Sequence, residues 1–121
     1  MKLVYIAGKY TGKSFSEVDD NIKKAEAKAI ELIAKKGLKG YYPVVPHLNT
    51  AHFEIYEPAL LGIDYTYWIK GTAEMLLKCD CILMMKNWEE SSGARGEHKI
   101  AQDNDIPIYY SVEEIPNVWG Y

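Results

Sequence analysis

The residues Ser91-Ser92-Gly93-Ala94-Arg95-Gly96-Glu97 combine types and spacing that invite chemistry. They follow an apolar run, Cys81-Ile82-Leu83-Met84-Met85, that reads as a buried β-strand. They open a segment, Ala94 to Asp103, with a helical pattern. A Ser/Gly-rich turn between a strand and a helix start exposes free backbone N–H groups, and the helix dipole there favours negative charge. Glu97 then shares a helical face with Ala94, Ile100 and Ala101, the side that should pack on a sheet. A carboxylate on that face beside an anion-type turn suggests a reaction centre. The competing reading is a Glu at the margin of the face, paired to Arg95 or Lys99 or simply solvated.

A second loop carries a competing signal. Ala7-Gly8-Lys9-Tyr10-Thr11-Gly12-Lys13-Ser14 fits a relaxed P-loop, in which a lysine meets phosphates and Ser14 binds magnesium. The glycine spacing is one residue short when counted from Gly8, and the strand Cys81–Met85 ends in Lys86 rather than in an acid that would hold the metal. A loop that touches a nucleotide or sugar through Gly8, Lys9, Tyr10 and Thr11 is the better expectation, with a plain glycine-rich turn as the alternative. His47 and His52 are able to contact a base or to act as acids near neutral pH. They have no acidic partners at a metal-ligand spacing, so no metal is expected. Trp88 and Tyr10 offer faces for a base, or else core packing. Asp64 reads as a helix N-cap or as a group reaching the ligand edge. Asp80 is expected at the opposite end of the sheet, and Arg95 on the surface, pointing away from Glu97.

These residues need a scaffold. The chain has 121 residues and a net charge of −3, which suits one domain and advertises no basic surface for nucleic acid. Ten Tyr and three Trp make it rich in aromatics. Cys79 and Cys81 flank Asp80, too close along a strand to bond each other, and read as reduced thiols of a cytoplasmic protein. No apolar run has the length of a signal peptide or a membrane span. Leu3–Ala7 reads as a strand and Glu17–Lys36 as a helix, with Gly37 as its terminator. Tyr41–Val45 follows as a strand that Pro43 places at a sheet edge. Residues 46–62 read as a long irregular loop. Tyr65–Lys78 is a helix with Tyr65, Trp68, Ile69, Thr72, Leu76 and Cys79 on one face. Ile106–Tyr110 is a last strand, and Ser111-Val112-Glu113-Glu114 matches a capping box. Alternating strands and helices imply right-handed crossovers and a mainly parallel α/β sheet of four or five strands. The expected order is 2-1-3-4, a flavodoxin-like, Rossmann-like three-layer sandwich, with ligands beyond the carboxyl ends of the strands.

The start Tyr5-Ile6-Ala7-Gly8, the stretch Cys79-Asp80-Cys81-Ile82-Leu83, and Asn87-Trp88 followed by Ser91-x-Gly93-Ala94-x-x-Glu97 resemble the nucleoside 2-deoxyribosyltransferase superfamily. The closer likeness is to its small bacterial and phage branch, the DUF4406-like proteins. The resemblance implies a single domain over 1–121 that cleaves or transfers at an N-glycosidic bond. It implies that Glu97 attacks C1′ of the sugar, and that Ser91, six residues earlier, holds a 5′-phosphate together with Ser92 and Gly93. Cleavage passes through an oxocarbenium-like state that a carboxylate stabilises or traps. The start of the helix should keep Glu97 ionised. Tyr5, at the strand end, is placed to orient Glu97 or else is a core tyrosine. The resemblance also carries a departure. Catalytic relatives have an Asp eight residues before the position of Asp80, where this chain has Thr72, which cannot donate a proton at neutral pH. Asp64 or a histidine would then have to serve, or the protein only binds a nucleotide. A small-molecule nucleoside or nucleotide ligand, no cofactor, no membrane or nucleic-acid partner and a homo-oligomer complete the expectation.

Overall fold

The computed structural model describes residues 1–119, the side chain of Glu57 excepted. Strand β1 (Lys2–Ala7) is followed by helix α1 (Phe15–Lys36), strand β2 (Tyr41–Val44) and a short helix α2 (Pro46–Asn49). A 3-10 segment (Phe53–Leu60) leads to α3 (Tyr65–Leu77), β3 (Cys81–Met84), α4 (Ser92–Asp103) and β4 (Ile108–Tyr109). All pairings are parallel, and the order is β2-β1-β3-β4, the flavodoxin-like arrangement expected.

The central strands are buried on both faces, as a covered parallel sheet requires: Val4 to Ala7 and Cys81 to Met84 are all buried. Their alternation divides the core. Val4 and Ile6 join Ala25 and Leu32 of α1, with Val112 and Ile115. Tyr5 and Ala7 point the other way, towards Leu76 of α3 and Ala101 of α4. Period-2 geometry therefore sends the Tyr5 side chain to the face that α4 covers. Fully burying each large apolar side chain contributes about 1.5–3 kcal/mol, so these two layers carry most of the fold.

Several local expectations are revised. Gly37 keeps right-handed helical angles, and the chain tightens into a 3-10 turn to Lys39 before Gly40 stops it at φ 105°. A Cβ on Gly40 would lie 2.8 Å from Val118 and face the Trp119 ring. Pro43 does sit on an edge strand, opposite Val4. The loop 46–62 contains α2 and the 3-10 segment. β4 is shorter than read: Pro107 has no N–H to give, and only its carbonyl joins the sheet, accepting from Ile82 N at 3.0 Å. The capping box after Ser111 does not form. Glu114 turns back to accept the Tyr110 N–H at 2.8 Å, and Ser111 makes no side-chain cap bond. No helix among the described residues is long and apolar enough to cross a membrane.

Candidate functional site

A cavity of about 550 Å³ opens beyond the carboxyl ends of β1 and β3, where the strand order reverses. The first loop supplies Gly8, Tyr10 and Thr11, α2 supplies His47, and the 3-10 segment supplies Phe53 and Glu54. Helix α3 supplies Tyr65, Trp68 and Thr72, with its cap Asp64, and the α4 turn supplies Ser91, Ser92, Gly93 and Glu97. Sequence-predicted candidates from four separate stretches, though not Lys9, His52 or Trp88, thus meet in one space.

Glu97 lines this cavity, partly buried. The hydroxyl of Tyr5, itself fully buried, donates to its carboxylate. Burial pushes the Glu97 carboxyl up to about 7, and the Tyr5 hydrogen bond works against that rise. Burial and the neighbouring carboxylate together push the Tyr5 phenol far above its ordinary range, so it remains a donor. The expectation of a fully ionised Glu97 is therefore revised. The residue lies in the second turn of α4, beyond the reach of the helix dipole, and desolvation prevails.

Ser91 is the N-cap of α4: its Oγ accepts the Ala94 N–H at 3.1 Å, which leaves its own hydroxyl proton to give. The amides of Ser92 and Gly93 have no intrahelical partner by virtue of their place in the first turn. Tyr65 reaches this turn from α3; a Cβ on Gly93 would lie 3.6 Å from its hydroxyl.

The first loop is clamped from three sides. Asn21, buried inside α1, donates to the carbonyls of Tyr10 and Thr11 at 3.1 and 3.2 Å. Asn87 accepts the Lys9 N–H at 3.1 Å. His47 Nε2 lies 3.1 Å from the Lys9 carbonyl and donates to it, and burial pulls the His47 ring below its ordinary range, so it is neutral. Gly8 is needed for close approach: a Cβ there would sit 2.4 Å from Met85 Sδ. Tyr10 then crosses the cavity. Its hydroxyl donates to the Glu54 carboxylate, with its two oxygens at 2.9 and 3.0 Å, and accepts the His52 N–H at 2.8 Å. His52 Nε2 bonds Asp19 of α1 at 3.2 Å and lies outside the cavity lining.

The same loop does not make a phosphate cradle of the P-loop kind. Ser14 caps α1 by accepting the Glu17 N–H, and the Glu17 carboxylate accepts the Lys13 N–H at 2.6 Å. A carboxylate thus occupies the turn where a P-loop would hold phosphate.

Asp64 caps α3 by accepting the Thr66 N–H at 3.0 Å, and the Thr66 hydroxyl also donates to it. Those bonds hold its carboxyl below the usual range. It borders the cavity ionised, which is poor for delivering a proton. The Thr72 hydroxyl donates back to the Trp68 carbonyl of its own helix at 3.1 Å and lies beside Tyr5.

Other candidates stand apart. Trp88 stacks on His98 with ring centroids 4.4 Å apart and does not line the cavity. The Lys9 ammonium leans towards Glu90 at 3.8 Å. Arg95 donates to the Glu89 carbonyl at 2.7 Å, away from Glu97. Lys99 pairs with Asp103 at 2.8 Å. Asp80 sits at the far end of β1, accepting the Leu3 N–H at 2.7 Å. Cys79 and Cys81 are free and buried. No group of three or more His, Cys, Asp or Glu suited to a metal occurs among the described residues.

Sequence reasoning did not pick out Asn21, Asn87, Phe53, Tyr65 or Trp68. Asn21 was discoverable: an amide in line with Val18 and Ala25 on the apolar stripe of α1 must find partners inside.

Fold and cavity define a flavodoxin-like α/β domain with a carboxylate-bearing pocket at its switch edge. Residues 2–110 match the family described as Domain of unknown function (DUF4406), and the chain belongs to that family. Searches of curated proteins and of solved structures returned no match.

Proposed function

We propose that this protein cleaves or transfers at the N-glycosidic bond of a (deoxy)nucleoside or its 5′-monophosphate. The observation that carries the proposal is the Glu97 carboxylate, held by the buried Tyr5 hydroxyl at the wall of an aromatic-lined cavity beside the Ser91–Gly93 turn. The likeness to the nucleoside 2-deoxyribosyltransferase superfamily supports it. A Glu97 oxygen bonds to C1′ as the C1′–N bond breaks and its electron pair leaves with the base. Water or a second base then releases the sugar from Glu97. Ser91, Ser92 and Gly93 contact the 5′ end. Gly8, Tyr10 and Thr11 flank the sugar, and His47 holds their loop in shape. The departing base takes its proton from solvent, since Asp64 is ionised and the Thr72 hydroxyl is no acid at neutral pH.

Two of these observations favour a second reading, a nucleotide-binding sensor without turnover. The proton-donor position is Thr72, and its hydroxyl is engaged with its own helix. In either reading the protein is a cytoplasmic homo-oligomer. Exposed Ile55, Tyr56, Leu61, Ile63 and Tyr67 near the cavity mouth support association.

The test is base release. Purified protein meets ribo- and deoxynucleosides and their 5′-monophosphates, with free base read by chromatography, beside Glu97→Gln. Release by the native chain alone is the expected result. Release that survives Glu97→Gln overturns the mechanism. Thermal stabilisation by a nucleotide without any release establishes the sensor.

A further inference from the structure

We infer that the cavity selects an uncharged nucleoside over its 5′-monophosphate. The inference rests on the nucleoside reading above and decides between its two substrate classes.

The argument is one of charge. Glu54, Asp64 and Glu97 all line the cavity, and no Lys or Arg among the described residues does. Two cations adjacent in sequence to lining residues are engaged elsewhere: Lys9 leans on Glu90, and Arg95 of α4 is bonded to the Glu89 carbonyl. Glu89 and Glu90 add two more carboxylates directly before the turn. A 5′-phosphate would bring a charge of about −1.5 to −2 into this setting. The turn would have the Ser91 and Ser92 hydroxyls, the first-turn amides and the Tyr65 hydroxyl to hold it, all of them uncharged donors.

Those same groups suit a hydroxyl well. A 5′-OH needs one donor and one acceptor. Ser91 keeps a proton to donate, and the Asp64 carboxylate beside Tyr65 is an acceptor bordering the same space. The remainder of the lining suits a neutral, flat base. Phe53 meets Trp68 edge to face with centroids 6.5 Å apart, and Tyr10 lies across from His47 at 5.8 Å. Thr72, where the resemblance places an acid, adds no further charge to the wall that holds Glu97 beside Tyr5.

At a protein-surface dielectric, one phosphate facing one carboxylate across a few ångströms lowers affinity by about tenfold or more. The experiment is calorimetric binding to the native chain at low and high salt. The probes are adenosine, 2′-deoxyadenosine and thymidine, each beside its own 5′-monophosphate. Each nucleoside is expected to bind about tenfold tighter than its monophosphate. The gap should narrow at high salt and in Asp64→Asn and Glu54→Gln. Asn is itself a good N-cap, and Gln still accepts the Tyr10 hydroxyl, so both variants change charge with little change of shape. A monophosphate that binds as tightly as its nucleoside, or tighter, overturns the inference and leaves the glycosidase reading standing. A gap that neither salt nor both variants alter also overturns it, because charge is then not its cause. Failure of every nucleoside and nucleotide to bind overturns the glycosidase reading itself.

Discussion

Replacing Tyr5 with Phe removes one oxygen and leaves the ring that fills the core. Glu97 would lose the only side-chain hydrogen bond shown to its carboxylate among the described residues. A hydrogen bond to a charged group is worth about 1.5–3 kcal/mol, and one pKa unit about 1.4 kcal/mol. The Glu97 carboxyl, already lifted by burial to about 7, should therefore titrate about one to two units higher in the variant. Carboxyl-carbon NMR of Glu97 across pH 5 to 10 reads this directly and needs no substrate. If Glu97 is the nucleophile, kcat/KM should rise with pH through the same value in each protein. The variant would be nearly inactive at pH 7 and recover in alkali. A Glu97 that titrates at the same pH in both proteins refutes the reasoning, because the Tyr5 bond would then not set its ionisation. An activity loss that alkali does not restore would refute the nucleophile's dependence on charge.

Four further outcomes follow from the same structure. Glu97 titrates near 7 when folded, against 4.5 in its ordinary state, so it favours folding below pH 4.5 and that contribution fades as pH rises to 7 and above. Glu97→Gln should accordingly flatten the loss of stability between pH 5 and pH 8, a difference of about 3 kcal/mol by urea melts at the two pH values. Asn21→Ala frees the carbonyls of Tyr10 and Thr11 and should cost about 1–3 kcal/mol, with faster amide exchange confined at first to residues 8–14. Gly8→Ala drives a methyl into Met85 and should lower stability by about 1–3 kcal/mol in thermal melts. Ser91→Ala removes the α4 cap, costs about 0.5–2 kcal/mol and weakens ligand binding in the same step.

Much of the scaffold is legible because it obeys period. The helical period of α4 puts Glu97 on the face that packs on the sheet, and there the hydroxyl of Tyr5, at the strand end, bonds it. The proline in β2 announced an edge, and the sheet has one there. The misses have a common physical origin. Period shows which residues share a face but not what the face meets. The stripe on α3 shares one face as read, yet only Leu76 of that helix is buried, and Tyr65, Trp68 and Thr72 face the cavity. Trp88 has the composition of a base platform, but its plane is taken by His98 from the next helix, a contact no local pattern encodes. The clamp Asn87 acts through a backbone amide of another loop, which leaves no trace in side-chain periodicity. Helix α1 ends at Lys36 with Gly37 as its cap, as read, but the 3-10 turn beyond it reaches Gly40, where the returning tail, Val118 and Trp119, bonds the Lys39 carbonyl.

The Tyr5–Glu97 bond has a consequence for the life of the chain before it is finished. Its partners are separated by 92 residues, and β1 also waits for β3 before both its edges are paired. Synthesis at about 5–20 residues per second leaves Tyr5 without Glu97 for several seconds. During that interval β1 has only β2 beside it, and one flank of an apolar strand stays open. Contacts of such sequence separation also slow folding once the whole chain is released. A nascent chain that stalls before β3 has neither the reaction centre nor a closed second edge on β1, and its open strand is a target for chaperones; one that stalls between β3 and α4 lacks only the reaction centre.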